Sequence, residues 1–240
     1  MAATDTTPAP LPPTGEIVVF EQRDEAGVLL SRTQLQDGVP QGEMTRFSPD
    51  GRPVAQASYQ DGVLNGTSRL WDDKGQLVQE ASYRAGQQHG LTRVYAAGRL
   101  LSEQLFAFGL PHGEMTSYSE AGVPTCKLMF QRGEIEGEAL FMHEGQLVRR
   151  ANYRKGLLEG QAIDYDRDGA KVQSADYKAN LLDGWLRRYW PNGEVMEELQ
   201  YKAGKPLGKP KRFNSKGAEQ HDDAAGQASL MQRLEKLVRG

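Results

Sequence analysis

From residue 56 to 59, and again from 80 to 83, polar and apolar side chains alternate with period two. Ala57 and Tyr59, then Ala81 and Tyr83, fall on one side of this register. Gln56 and Ser58, then Glu80 and Ser82, fall on the other. Alternation with one apolar side predicts half-buried β-strands. Ala151/Tyr153 and Ala175/Tyr177 carry the same pattern further along the chain. The segments SPDG (48–51), DDKG (72–75), DRDG (166–169) and PNG (191–193) place a glycine where a type I turn needs positive φ, so each is expected to close a short hairpin.

The alternation belongs to a repeat. A first glycine falls at Gly38, Gly62, Gly86, Gly109, Gly133, Gly156 and Gly204, with Asn180 in its place once, at intervals of 23 or 24 residues. A second glycine follows four residues later, from Gly42, Gly66 and Gly90 to Gly184 and Gly208. Then come a bulky residue (Phe47, Trp71, Tyr95, Tyr118, Met142, Tyr165, Tyr189, Phe213), a third glycine in the turn, and a closing aromatic such as Tyr59, Tyr83 or Phe106. A partial unit with Gly15, Phe20, Gly27 and Leu35 precedes them. A period this regular signals a repeat architecture. The pair Gly62/Gly66 reads as the wider return turn between hairpins, and the shorter intervals as one residue missing from the tight turn at Gly98 and Gly145. Every aromatic except Phe108, Phe141, Trp185 and Trp190 occupies a repeat position. The expectation is an aromatic ladder stacked from unit to unit, with small alanines making room for it.

The pattern GxxxG, then an aromatic, a glycine and a closing aromatic, resembles the bacterial MORN-repeat variant family over about residues 15 to 217. The resemblance implies an all-β fold: an elongated, twisted antiparallel sheet of consecutive β-hairpins. It also implies a protein-binding role, with many such proteins resembling antitoxin or immunity components. The partner so implied is a cognate toxin, in the setting of a type VI secretion effector of the lipase type, met in the periplasm. The spacing departs from the shorter eukaryotic MORN repeat linked to phosphoinositides, which makes a membrane-associated scaffold the second reading.

Composition narrows the function classes. A net charge of -3 and a pI near 5.9 give no field that would draw the chain to nucleic acid or anionic lipid, so neither is expected as a partner. The single Cys126 excludes an internal disulfide and reads as a small, partly buried hydrophobe. The glycines recur as turns and form neither GxGxxG nor GxxxxGK[ST], and no GxSxG elbow occurs, so no enzyme, catalytic residue or cofactor is expected. His89 and His112 stand one residue before the second glycine, in a row with Gln41, Asn65, Glu136, Glu159 and Asp183. Equivalent positions two strands apart lie roughly 10 Å from each other. That is too far for rigid turns to share a zinc ion, so the row reads as solvated turn residues and no metal is expected.

In a repeat protein the invariant positions build, and the exceptions are candidates for recognition. Those exceptions are Trp185, Trp190, Phe108 and Phe141, together with a broken basic column of Arg69, Arg93, Arg187 and Lys211. Trp, Tyr and Arg dominate interface hot spots, which makes Arg69, Arg93, Phe108, Phe141, Trp185, Arg187 and Trp190 the partner-binding candidates. The domain reading is a Pro/Thr-rich tether over 1–14, one repeat domain over 15–217, and a linker with a C-terminal helix over 218–240. In that tail Leu230, Leu234, Leu237 and Val238 share a helical face that could cap the last strand. The tether and the resemblance make the periplasm the expected location, with a removed export signal as one reading of the N-terminus; the alternative is cytoplasmic.

Overall fold

Two kinds of turn alternate along the chain, and positive-φ residues decide both. In the first, a two-residue loop has both members at positive φ: Asp37/Gly38, Asp61/Gly62, Ala85/Gly86, Phe108/Gly109, Arg132/Gly133, Lys155/Gly156, Ala179/Asn180 and Ala203/Gly204. The flanking residues pair directly, as Gln60 with Val63 and Arg84 with Gln87. This is a type I′ turn, whose twist matches that of the strands it joins. In the second, a three-residue loop ends on a glycine: Gly51 N donates to Ser48 O at 2.9 Å and Ser48 N to Arg52 O at 2.8 Å, a type I turn closed by a bulge. Asp24, Asp72, Asp166 and Asn214 open this turn elsewhere, and their side-chain oxygens accept two amides of the loop.

The computed structural model describes residues 15–220. It is all-β, with no helix among the described residues. Contacts divide the chain into two compact units, Met1–Glu136 and Gly137–Gly240. The first holds β1 (Ile17–Arg23), β2 (Leu29–Gln36), β3 (Val39–Phe47), β4 (Pro53–Gln60), β5 (Val63–Trp71) and β6 (Leu77–Arg84). It continues with β7 (Gln87–Ala96), β8 (Arg99–Ala107), β9 (Leu110–Tyr118), β10 (Pro124–Gln131) and the short β11 (Glu134–Ile135). The second holds β12 (Gly137–His143), β13 (Gln146–Arg154), β14 (Leu157–Leu158), β15 (Gly160–Tyr165) and β16 (Lys171–Lys178). It ends with β17 (Leu181–Tyr189), β18 (Val195–Lys202), β19 (Lys205–Pro206), β20 (Lys211–Phe213) and β21 (Glu219–Gln220). Within each unit, consecutive strands pair antiparallel as a chain of hairpins.

The glycine assignment needs one correction. Gly62 is in the tighter, two-residue turn, and Gly66 is not in a turn at all. It lies inside β5 at φ 111°, where the register against β4 jumps from Tyr59↔Leu64 to Ala57↔Ser68. A Cβ at Gly66 would sit 2.9 Å from the Ser58 Cβ, so the bulged strand reaches its neighbour only without a side chain. On its other side Gly66 faces Tyr83, and Gly90 faces Phe106 in the same way, so each closing aromatic covers the bare backbone of a glycine. The short intervals are explained as expected by turn length: Ala97/Gly98 and Glu144/Gly145 are two-residue loops where the other repeats have three.

The stacked aromatic ladder is also corrected. The ring contact found among the described residues is His89 on Phe108, not one ladder ring on another. Equivalent aromatics of successive repeats are two strands apart, about 9.6 Å, whereas ring pairs need centroids within about 7 Å. The two aromatic rows also occupy opposite faces. Arg69 faces Glu80, so Trp71 shares their side, while Tyr83 lies with Ala81 on the other. The buried alanines are Ala81, Ala139, Ala151, Ala162 and Ala175, and among the described residues no large side chain is fully buried. A single sheet has no second layer to bury one against, which accounts for the lean apolar content. The tether over 1–14 and the C-terminal helix lie outside the described residues.

Candidate functional site

The basic column turns out to be half of a charge zipper. Register places Gln56, Arg69, Glu80, Arg93, Glu103 and Thr116 side by side across β4 to β9. Arg69 Nε donates to Glu80 Oε2 at 2.8 Å, and Arg93 lies 3.4 Å from Glu80 and 3.6 Å from Glu103. The Tyr118 hydroxyl donates to Glu103 Oε1 at 2.7 Å, and this bond, together with burial, raises the tyrosine pKa. In the second unit the same column reads Ser174, Arg187 and Glu198, with Arg187 Nε donating to Glu198 Oε2 at 3.1 Å. Arg69, Arg93 and Arg187 therefore spend their charge on carboxylates of the neighbouring strand, a pairing the residue spacing could have shown had the closing strands been laid opposite the opening ones.

Three members of the row before the second glycine clamp turns. Gln41 Oε1 accepts the Asp61 amide at 2.7 Å, Glu159 Oε2 the Ala179 amide at 3.0 Å, and Asp183 Oδ2 the Ala203 amide at 3.2 Å. Each ties one repeat to the first residue of the next two-residue turn. Asp183 also accepts from Lys202 Nζ at 2.9 Å; that bond and the Ala203 amide lower its pKa. His89 meets the same position differently, edge-on to the Phe108 ring at 5.4 Å between centroids. Among the described residues no three His, Cys, Asp or Glu side chains converge as metal ligands. Burial raises the pKa of the half-buried Cys126 thiol.

Of the remaining candidates, Trp185 and Arg187 are brought together: the guanidinium lies 4.9 Å from the ring centroid, and the Trp185 amide donates to Asp176 Oδ2 at 2.9 Å. Trp190 stands where Asp, Ser or Asn opens the three-residue turn elsewhere, and its Nε1 donates to Phe213 O at 3.1 Å. Phe141 is half-buried on β12 opposite Arg149. Phe108 is 73% exposed at the first position of its turn, φ 51°.

The comparisons with known proteins bear on the repeat. Residues 64–85 and 182–203 match the family model described as MORN repeat variant. The chain carries MORN repeats. The matched segments each run from β5 or β17 through the three-residue turn to the closing aromatic, Tyr83 or Tyr201, and so coincide with one structural hairpin. No curated protein matches the chain. Among solved structures, a mutant of S. aureus TarM in complex with Fondaparinux, alpha-GlcNAc-glycerol and UDP is 8% identical, covering 55% of this chain and 19% of that one at a TM-score of 0.24. TarM itself is 11% identical, covering 49% of this chain and 20% of that one at the same TM-score of 0.24. This MORN-repeat chain thus spans about a fifth of the length of those structures, and likenesses at such scores carry no argument about its fold or function.

Proposed function

We propose that this MORN-repeat chain is a non-catalytic protein-binding module and, more finely, an immunity protein that neutralises a cognate bacterial toxin by occluding its active site or assembly. The observation that carries the reading is how the ionisable rows are used. Arg69, Arg93 and Arg187 are held by carboxylates, Glu159 and Asp183 hold turn amides, and His89 packs on Phe108. The groups that could do chemistry hold the sheet, while Phe108, Leu105 and Met129 break the repeat and stay exposed. Such exceptions on a rigid scaffold suit recognition of another protein. The toxin assignment, the type VI lipase-type effector and the periplasmic setting come from the MORN-variant resemblance. The test mixes the purified chain with the product of the adjoining open reading frame and measures binding and toxin activity. Binding with loss of activity supports the reading. A chain that neither binds nor protects sinks it, and flotation of the chain with anionic liposomes would favour the membrane scaffold instead.

A further inference from the structure

Repeat-to-repeat comparison finds apolar residues replacing polar ones on consecutive strands of the first unit. The residue before the closing aromatic is Ser58, Ser82, Asn152, Asp176 or Gln200 in most repeats but Leu105 and Met129 in two consecutive ones. Apart from Trp185, which stacks with the Arg187 guanidinium, the residue after the second glycine is Glu43, Thr67, Glu114, Glu138, Gln161 or Lys209, but Leu91 in the repeat that pairs with Leu105. All three share the face of Arg93 and Glu103. The Leu105 side chain lies over the bare backbone of Gly113, its Cδ1 3.1 Å from where a Cβ on that glycine would stand. Leu105 and Met129 are 41% and 44% exposed, and Leu110, at the end of the adjoining turn, is 49% exposed.

Phe108 projects from that same turn. The other residues at its position are Asp37, Asp61, Ala85, Arg132, Lys155, Ala179 and Ala203, all small or charged. A bulky aromatic at positive φ is disfavoured, and this one buries little of its ring in return. His89 fixes the ring edge-on without covering it. Arg84, just before the preceding two-residue turn, and Arg132, in the following one, are exposed and flank the patch, and neither pairs with a carboxylate among the described residues. On the same face Glu114 lies 4.0 Å from Lys127, and Glu134 follows Arg132 in its hairpin.

We propose that Leu91, Leu105, Phe108, Leu110 and Met129 form the docking patch for the toxin, with Phe108 as the anchor that enters an apolar pocket on that protein. Carboxylates at the pocket rim meet Arg84 and Arg132. The inference rests on the toxin-binding reading and gives that reading its surface. It accounts for why an unfavourable residue sits at a solvent-exposed turn, and why Leu91, Leu105 and Met129 replace polar residues in the strands beside it.

The test uses the full chain and the purified product of the adjoining open reading frame. Phe108→Asn makes the turn Asn-Gly, the preferred type I′ dipeptide, so the variant folds at least as well as the parent and melts about 1–3 °C higher. Its affinity falls about 30-fold or more, as for a hot-spot residue. The double variant L105S/M129S, which restores the polar type of Ser58 and Ser82, also loses at least about tenfold. Arg132→Glu slows association, most at low salt. Parent-like binding by Phe108→Asn, or a lowered melting temperature for it, overturns the proposal, because the ring would then serve the fold. A parent chain that is dimeric and turns monomeric on Phe108→Asn also overturns it, since a second copy would be the occupant. If the parent does not bind at all, the toxin-binding reading falls and the patch assignment with it.

Discussion

At the residue scale, the positive-φ glycines do unequal work. Gly51 closes a turn at φ 81° with nothing within 4 Å of a built Cβ, whereas Gly184 sits in a strand at φ 133° with the Asp176 Cβ 2.6 Å away. Gly51→Ala meets only the backbone penalty and should cost about 1 kcal/mol. Gly184→Ala meets that penalty and a backbone-anchored clash, and should cost about 3 kcal/mol or more. Urea midpoints of the two variants check the difference; equal losses would mean that the bulge can move aside. The sequence marks both residues as glycines of a repeat but does not separate them. A turn and an in-strand bulge ask for the same backbone region, and only the register against Asp176 reveals which neighbour the missing side chain spares. Phe108 was legible as an exception, whereas Leu105 and Met129 were not, because an apolar residue in a strand raises no alarm until the strand's two faces are known.

The hairpin is where the charges acquire meaning. Glu80 lies between Arg69 and Arg93, and its side chain is about a quarter exposed, against about two-fifths for the arginines. Such half-solvated pairs are worth little each, so Glu80→Gln should lower stability by about 0.5–1 kcal/mol, and by less at 1 M salt. A salt-independent loss would point to packing rather than charge. The Asp183 clamp gives a pH signature. Its carboxyl is held below the ordinary range by Lys202 and the Ala203 amide, so folding takes up stability above the unfolded value, about 4, and loses it as pH falls through the lower folded value. The protection of the Ala203 amide against hydrogen exchange, taken relative to its intrinsic rate, should therefore fall as pH drops below about 4. Asp183→Asn should remove this pH step; a step that persists would assign it to another carboxylate. Period-two alternation and turn chemistry made the hairpins readable from the sequence, since both are local. Glu80 opposite Arg69 could be counted across the three-residue turn, but Glu80 opposite Arg93 was hidden, because the bulge at Gly90 shifts that pairing and intervals alone do not count it.

On the scale of the whole chain, the period sets what can be removed. The repeat is a sum of hairpins, each held chiefly by its neighbours, so taking out one complete period should cost little. Deleting residues 63–86 joins Gly62 to Gln87, which is the sequence environment that already follows Gly86. Every remaining closing aromatic keeps its glycine, Gly42 for Tyr59 and Gly90 for Phe106. Far-UV circular dichroism should stay that of a β-sheet and the melting temperature should fall by only a few degrees, about what loss of one weak hairpin interface implies. Deleting residues 63–74 removes half a period and only one strand. It sets β4 beside β6, two closing strands that never pair in the structure, and leaves Tyr83 without Gly66 opposite it. The opening strand with its Arg69 is lost, so Glu80 keeps only Arg93. This shorter deletion should melt far lower than the longer one despite removing fewer residues. A stability that simply tracked the number of residues removed would show that generic strand pairing, not the glycine–aromatic register, holds the repeat together.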